Sequence, residues 1–205
     1  MPRFVVIGQK ATASDDFLLD DLPGTSGRLD VLLRCLRAAL LFSHGLRRDV
    51  VVYLVLCGGS AAPRIMRFGG EARFIRPDER SLATLAKKLL ERGADVRRGF
   101  CEMRPGIAIA NGGLDDVIDD LGALTAYVLE EGGNDLRDAE HIARADAVFF
   151  VGDHLGFDVT TRARLAALGA SPVGVGPVSL HADDAIVILT NEIDRRRAAG
   201  MPSGK

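Results

Sequence analysis

From Leu124 onward the chain repeats one pattern: a short β-branched or aromatic run, a connector, then a stretch with helical spacing. The runs fall at 125–129, 147–151 and 171–175, and the helical spacing at about 161–168 and about 180–197. Strands separated by helices cannot close hairpins on one another. They have to lie parallel, joined by crossovers that cover the sheet. The segment 185–189 is β-branched enough to pass for a strand. Ala182, Ile186, Leu189 and Ile193 nevertheless continue one helical face, over a length unusual for a strand, so the spacing predicts a helix there.

The first half reads as a more irregular α/β mixture. Arg3 to Ile7 predicts a strand, followed by an acidic segment around Asp15 to Asp21 and a turn at Pro23 and Gly24. After Gly27, the leucines 29, 32, 33, 36 and 40 recur at helical spacing, which predicts an amphipathic helix to about His44. A buried strand is expected at 50–56. Arg64–Phe68 and Arg73–Ile75, separated by Gly69 and Gly70, predict a hairpin. Pro77 and Asp78 open a helix carrying Leu82, Leu85, Leu89 and Leu90 and stopped by Gly93; a strand at 106–109 and a helix at 114–121 follow. Ala198 to Lys205 reads as frayed.

With 205 residues, 47% of them hydrophobic, one α/β domain over 1–205 can bury its own core. No apolar run approaches the eighteen or so residues of a spanning helix, and Met1-Pro2-Arg3 leads into a strand without a cleavable signal pattern, so a cytoplasmic protein is expected. Cys35, Cys57 and Cys101 are far apart, with no paired spacing, and the four histidines are scattered. No metal site is expected. The net charge of −2 hides an asymmetry: residues 1–104 hold 18 Lys and Arg against 12 Asp and Glu, a surplus of +6, and residues 105–205 hold 8 against 16, or −8. Any RNA-facing surface is therefore expected in the first half, about 1–104. Solvated helix faces of mixed sign would give the same count.

Two glycine loops follow expected parallel strands, where open α/β sheets place ligands. One is Val151-Gly152-Asp153-His154-Leu155-Gly156; the other is Val173-Gly174-Val175-Gly176-Pro177-Val178, leading into Ser179-Leu180-His181-Ala182. Backbone groups there can approach a purine edge or an amino-acid end closely. Structural turns are the competing reading, because the loops lack both the Rossmann fingerprint and a phosphate-binding lysine.

These segments, with Asn191-Glu192-Ile193-Asp194 behind them, resemble the cofactor-binding motifs of the TrmY family of tRNA pseudouridine-54 N1-methyltransferases. Pro23-Gly24-Thr25-Ser26-Gly27-Arg28-Leu29-Asp30, Ser43 to Val50 and Pro77-Asp78-Glu79-Arg80 extend the likeness, in the same order, over nearly the whole chain. The resemblance implies a SPOUT-type single domain whose half at about 124–197 threads a deep trefoil knot. It also implies S-adenosylmethionine as methyl donor, tRNA as substrate and a homodimer with its pockets near the subunit interface. By matching position, Leu129, Gly152, Val173, Gly174, Val175, Gly176, Pro177 and Val178 are implied donor contacts, and Gly152→Val is expected to weaken binding in a folded protein. The chain departs from the family at Ala185, where relatives carry cysteine, and at Ala110, where they carry an arginine expected near an RNA or cofactor surface.

Arg28 and Asp30 resemble the Arg-x-Asp of related ribosomal-RNA pseudouridine methyltransferases. Asp30 is expected to orient the base or take its proton, with Arg28 holding the ring or a phosphate; a first-turn aspartate favoured by the helix dipole is the simpler alternative. For Arg47 and Arg48, RNA contact competes with an exposed turn paired to Asp49. With Arg28 they are expected on the side of the pocket mouth. Arg34 and Arg37 read as solvated or interface residues, Asp153 and His154 as structural, and His181 as a capping residue. Ile186, Leu189 and Ile193 are expected to serve both core and dimer interface. A SPOUT methyltransferase acting on another tRNA or rRNA nucleotide, and a non-catalytic RNA-binding dimer, remain the alternatives.

Overall fold

A computed structural model describes residues 2–96 and 99–200. In chain order the elements are β1 (Arg3–Thr12), a 3-10 turn (Leu19–Asp21), α1 (Leu22–Thr25), α2 (Leu29–Leu40), β2 (Leu41–Phe42), β3 (Gly45–Leu46), β4 (Val51–Gly58), β5 (Arg64–Gly69) and α3 (Glu79–Gly93). There follow β6 (Cys101–Arg104), β7 (Ile107–Asn111), α4 (Leu114–Leu121), β8 (Thr125–Asp135), β9 (Ala147–Gly152), α5 (Val159–Ala167), β10 (Ser171–Gly174) and α6 (Ala182–Gly200). Eight strands form one sheet in the order β10-β8-β9-β1-β4-β5-β7-β6. From β10 to β4 every pairing is parallel; β5, β7 and β6 add antiparallel neighbours.

The parallel centre is buried on both faces, as crossover connections require. Along β1, Phe4 and Val6 point into one apolar layer and Val5 and Ile7 into the other. The first layer takes Leu32 and Leu36 of α2, Leu89 of α3 and Ile186 and Leu189 of α6; Phe149 stacks there between Phe4 and Tyr127, at 5.5 and 5.4 Å. The second takes Val117 and Leu121 of α4 and Leu165 of α5.

Several boundaries differ from expectation. α2 stops at Leu40 because Leu41 turns extended and pairs with Leu46 in the small β2–β3 hairpin, while the Leu40 carbonyl accepts from Arg47 N–H at 2.8 Å. The hairpin expected between 64–68 and 73–75 does not form. One edge of β5 is taken by β4 and the other by β7, so 73–75 has no edge to join. Ile186, Leu189 and Ile193 of α6 are buried in the chain's own core, which leaves Val187 and Ile188 as that helix's exposed large apolar residues. Ala110 is also buried, within β7 and under α4, and so occupies no RNA-facing or cofactor-facing surface. The expected frayed tail is helical to Gly200; 201–205 lies outside the described residues.

No described helix is long and apolar enough to cross a membrane. Among the described residues, no group of three or more His, Cys, Asp or Glu is placed to hold a metal ion.

Candidate active site

Three chain segments meet beyond the C-terminal ends of the parallel strands. The first comes from β8, which pairs with β9 as far as Val128 and then leaves it. β10 follows β8 with a register shift: Pro172 faces Val128, but Val173 faces Asn134. Residues 129–133 are thereby looped out of the ladder, and Leu129, Glu130 and Glu131 line a cavity. Glycine is needed at the base of this loop, because a Cβ on Gly133 would stand 2.7–2.9 Å from the backbone of Val173 and Gly174.

The second segment is the turn after β9. The Asp153 carboxylate, fully buried, accepts from Gln9 N–H and Leu155 N–H, each at 2.8 Å, and so pins this turn to β1. Asp153 thus bonds backbone amides of both β1 and the turn. Gly152 and Gly156 close the turn so tightly that a Cβ on Gly152 would lie 2.8 Å from the Gly156 backbone. The third segment runs from Val173 through His181 into α6. Val173, Val175, Gly176 and Val178 line the cavity, and Gly174 and Pro177 hold the path of the loop without lining it.

Arg28 enters from the other side. Ser26 prepares the turn: its hydroxyl accepts from Leu29 N–H at 3.1 Å, while its backbone carbonyl accepts from Thr12 N–H at 2.9 Å. Arg28 itself sits at φ 69°, a left-handed conformation that is uncommon for a residue with a side chain. The strain is compensated by Asp30, one residue into α2. The buried Asp30 carboxylate accepts from Arg28 Nε at 2.9 Å and Nη2 at 3.1 Å, and from Arg34 Nη1 at 2.9 Å. Arg34 Nε also stands 3.6 Å from Asp183, in the first turn of α6. Both arginines remain partly exposed and line the cavity.

This network decides which chemistry Asp30 can perform. Burial acts to raise its pKa, but the hydrogen bonds and charges of Arg28 and Arg34 together outweigh burial, and its pKa lies below the ordinary aspartate value. A carboxylate so held is a weak base whose buried oxygens already accept three hydrogen bonds. It is suited to fixing two guanidinium groups at a cavity mouth.

The cavity measures about 670 Å³, within the range of pockets that enclose a nucleoside-sized ligand. The chain matches, over residues 1–198, the family model described as "Putative SAM-dependent RNA methyltransferase". It is 41% identical over 208 residues to the tRNA (pseudouridine(54)-N(1))-methyltransferase of Methanosarcina acetivorans, covering 100% of this chain and 97% of that protein. The chain belongs to the tRNA (pseudouridine(54)-N(1))-methyltransferase family. A second member, from Halobacterium salinarum, is 40% identical over 195 residues, covering 95% and 96% of the two chains. The fold agrees with that of Archaeoglobus fulgidus Nep1 bound to S-adenosylhomocysteine, at TM-score 0.66 and 19% identity over 96% of this chain and 99% of the other.

Within this tRNA methyltransferase family fold, the residues expected at the site separate into two groups. Arg28, Leu129, Gly152, Val173, Val175, Gly176 and Val178 come together around the cavity, and Ala185 lines it too, so the departure there concerns the pocket itself. Arg47 and Arg48 do not join them. They precede Val51, which pairs with Arg3, whereas Gly152 pairs with Ile7 at the other end of the sheet. α2, twelve residues and about 18 Å long, separates them from Arg28. Arg47 binds both oxygens of Asp194, at 2.8 and 2.7 Å, and Arg48 donates to the Gly70 carbonyl at 2.6 Å. Sequence reasoning missed Glu130, Glu131, Arg162 and Asp183, and the place of Arg34 in the cavity lining. The one available signal was the four-residue spacing of Asp30 and Arg34, which places them on one helix face.

Proposed function

We propose that the chain transfers a methyl group from S-adenosylmethionine to N1 of pseudouridine at position 54 of tRNA. The observation that carries this reading is the Asp30-anchored arginine pair lining a cavity shared with Gly152, Gly156 and Gly176, in a chain matched along its length by curated methyltransferases. Leu129, Gly152 and 173–178 would hold the donor, since their loops present closely spaced backbone to the cavity. Bound there, S-adenosylmethionine would supply an electrophilic methyl group for transfer to N1, leaving S-adenosylhomocysteine.

The chain's own residues prepare the nucleophile. Arg28, exposed on its cavity side, stabilises the negative charge that develops on the uracil ring as the N1 proton departs to solvent at the mouth. Asp30 fixes Arg28 and Arg34 and is a positioning residue. This reading uses Arg28 as both the catalytic and an RNA-contacting group. Methyl transfer elsewhere on tRNA or rRNA would need the same donor pocket. Nucleoside mass spectrometry separates these readings: tRNA from cells lacking the gene should lose N1-methylpseudouridine and no other methylated nucleoside.

The same reading includes one domain over 1–205, located in the cytoplasm, with a trefoil knot in 124–197. Arg196 donates to the carbonyls of Leu136, Arg137 and Ala139, which holds α6 against the connection between β8 and β9. It also includes a homodimer. A groove lined by Phe42, Arg47, Val187 and Asn191 runs beside α6, and Phe42 and Val187 are exposed apolar side chains within it. Two copies joined there would bury them in an isologous contact. Sedimentation at micromolar concentration should give a dimer that Val187→Asp dissociates; a monomeric parent protein would contradict the assignment.

A further inference from the structure

Two non-glycine residues among those described adopt a left-handed backbone, Arg28 and Phe74. The first belongs to the site above. Phe74, at φ 59°, lies in the loop between β5 and α3 and is 92% exposed, more than any other large apolar side chain described. Strain and exposure together in a bulky aromatic residue point to a contact made outside the chain.

The exposure does not come from a slack loop. Ala72 is fully buried and Ile75 packs against the core, so the chain is anchored two residues before Phe74 and one residue after it. Gly69 N–H donates to the Gly106 carbonyl at 2.7 Å, Ala72 N–H to the Gly69 carbonyl at 3.0 Å, and Arg48 to the Gly70 carbonyl. At the far end the Asp78 carboxylate caps α3 by accepting from Ser81 N–H at 2.8 Å. The surroundings carry charge of both signs, with the exposed Glu71 and Glu79 near exposed arginines. Arg73 and Arg76 flank Phe74, and Arg104 adjoins the neighbouring Gly106 turn; all three are exposed, and among the described residues none has a carboxylate within ion-pair distance. Of the nearby carboxylates, Asp78 and Glu102 are turned onto backbone N–H groups.

We propose that Phe74 is a stacking platform for an unstacked nucleobase of the RNA substrate, with Arg73, Arg76 and Arg104 taking the adjoining phosphates. This rests on the methyltransferase reading and gives the RNA a second anchor, distinct from Arg28. The ends of β5 and β9 stand three strands and about four residues of rise apart, about 20 Å, and the two anchors lie beyond those ends. Aromatic faces hold bases without regard to sequence, and flanking arginines supply the salt-dependent part of the affinity.

Equilibrium binding of pseudouridine-containing tRNA provides the test. Phe74→Ala should weaken it by about five- to a hundredfold with an unchanged salt slope, Phe74→Trp should retain it, and Arg73→Ala with Arg76→Ala should lower the salt slope. Affinity for S-adenosylhomocysteine should be the same throughout. Undiminished tRNA binding by Phe74→Ala would overturn the proposal. Dissociation of that variant into monomers in sedimentation would overturn it as well, by assigning Phe74 to a contact between copies. In either case a parent protein that binds and methylates tRNA leaves the methyltransferase reading standing, whereas a parent that binds no tRNA removes both.

Discussion

Asp30→Asn should lower the single-turnover rate of methyl transfer by about a hundredfold while leaving affinity for S-adenosylhomocysteine unchanged. The carboxylate touches no part of the cavity; it holds the two guanidinium groups that do. An amide carries no charge and cannot accept from both arginines in the same geometry, and a misplacement of about 1 Å at a reacting group costs on the order of a hundredfold. Because Asp30 acts through Arg28, the double variant with Arg28→Ala should be little slower than Arg28→Ala alone. The pH dependence separates this role from general-base catalysis. The folded-state pKa of Asp30 is depressed, so its contribution to stability is fully present above the unfolded value of about 3.9 and is lost as pH falls through the lower folded value. Parent and Asp30→Asn should therefore differ in melting temperature at neutral pH and converge below about pH 4. Between pH 5 and 8 the slope of the rate profile should be the same for both. If Asp30→Asn keeps the full rate, the arginine pair is not the catalytic feature.

Gly176→Val should abolish most donor binding, by about a hundredfold or more, with the fold intact. A Cβ built on Gly176 meets no atom within 4 Å, and this glycine lines the cavity, so added bulk takes space that a ligand needs without displacing protein. Gly152→Val, expected from the sequence to weaken binding in a folded protein, is the poorer probe. Its Cβ would strike the Gly156 backbone, and the turn has to move whether or not a ligand is present. Calorimetry with S-adenosylhomocysteine, alongside thermal melting, distinguishes the two cases. Unchanged affinity in Gly176→Val would remove 173–178 from the donor site.

The contrast between these glycines marks where sequence reasoning ends. The apolar run of β9 and the leucine spacing of α2 are legible because burial imposes a pattern that a single segment displays on its own. β6, with the sequence Cys-Glu-Met-Arg, carries no such period, and its pairing with β7 is decided by a sheet edge that the sequence does not display. The same holds at the site. The glycine loops stand out because glycine is locally distinctive. Glu130 and Glu131 reach the cavity only because β10 skips 129–133, a register event between segments some forty residues apart. Arg47 and Arg48 resemble RNA-contacting residues by composition, yet three-dimensional neighbours claim both: Asp194 from α6 and the Gly70 carbonyl.

The most direct test of the account is transfer of a labelled methyl group from S-adenosylmethionine to two otherwise identical tRNAs, one with pseudouridine and one with uridine at position 54. In pseudouridine N1 carries a proton, whereas in uridine it forms the glycosidic bond and cannot be methylated without a charged product. The account predicts one methyl group per pseudouridine-containing tRNA, recovered as N1-methylpseudouridine, and none on the uridine form. Equal labelling of both tRNAs, or label on neither, would contradict it.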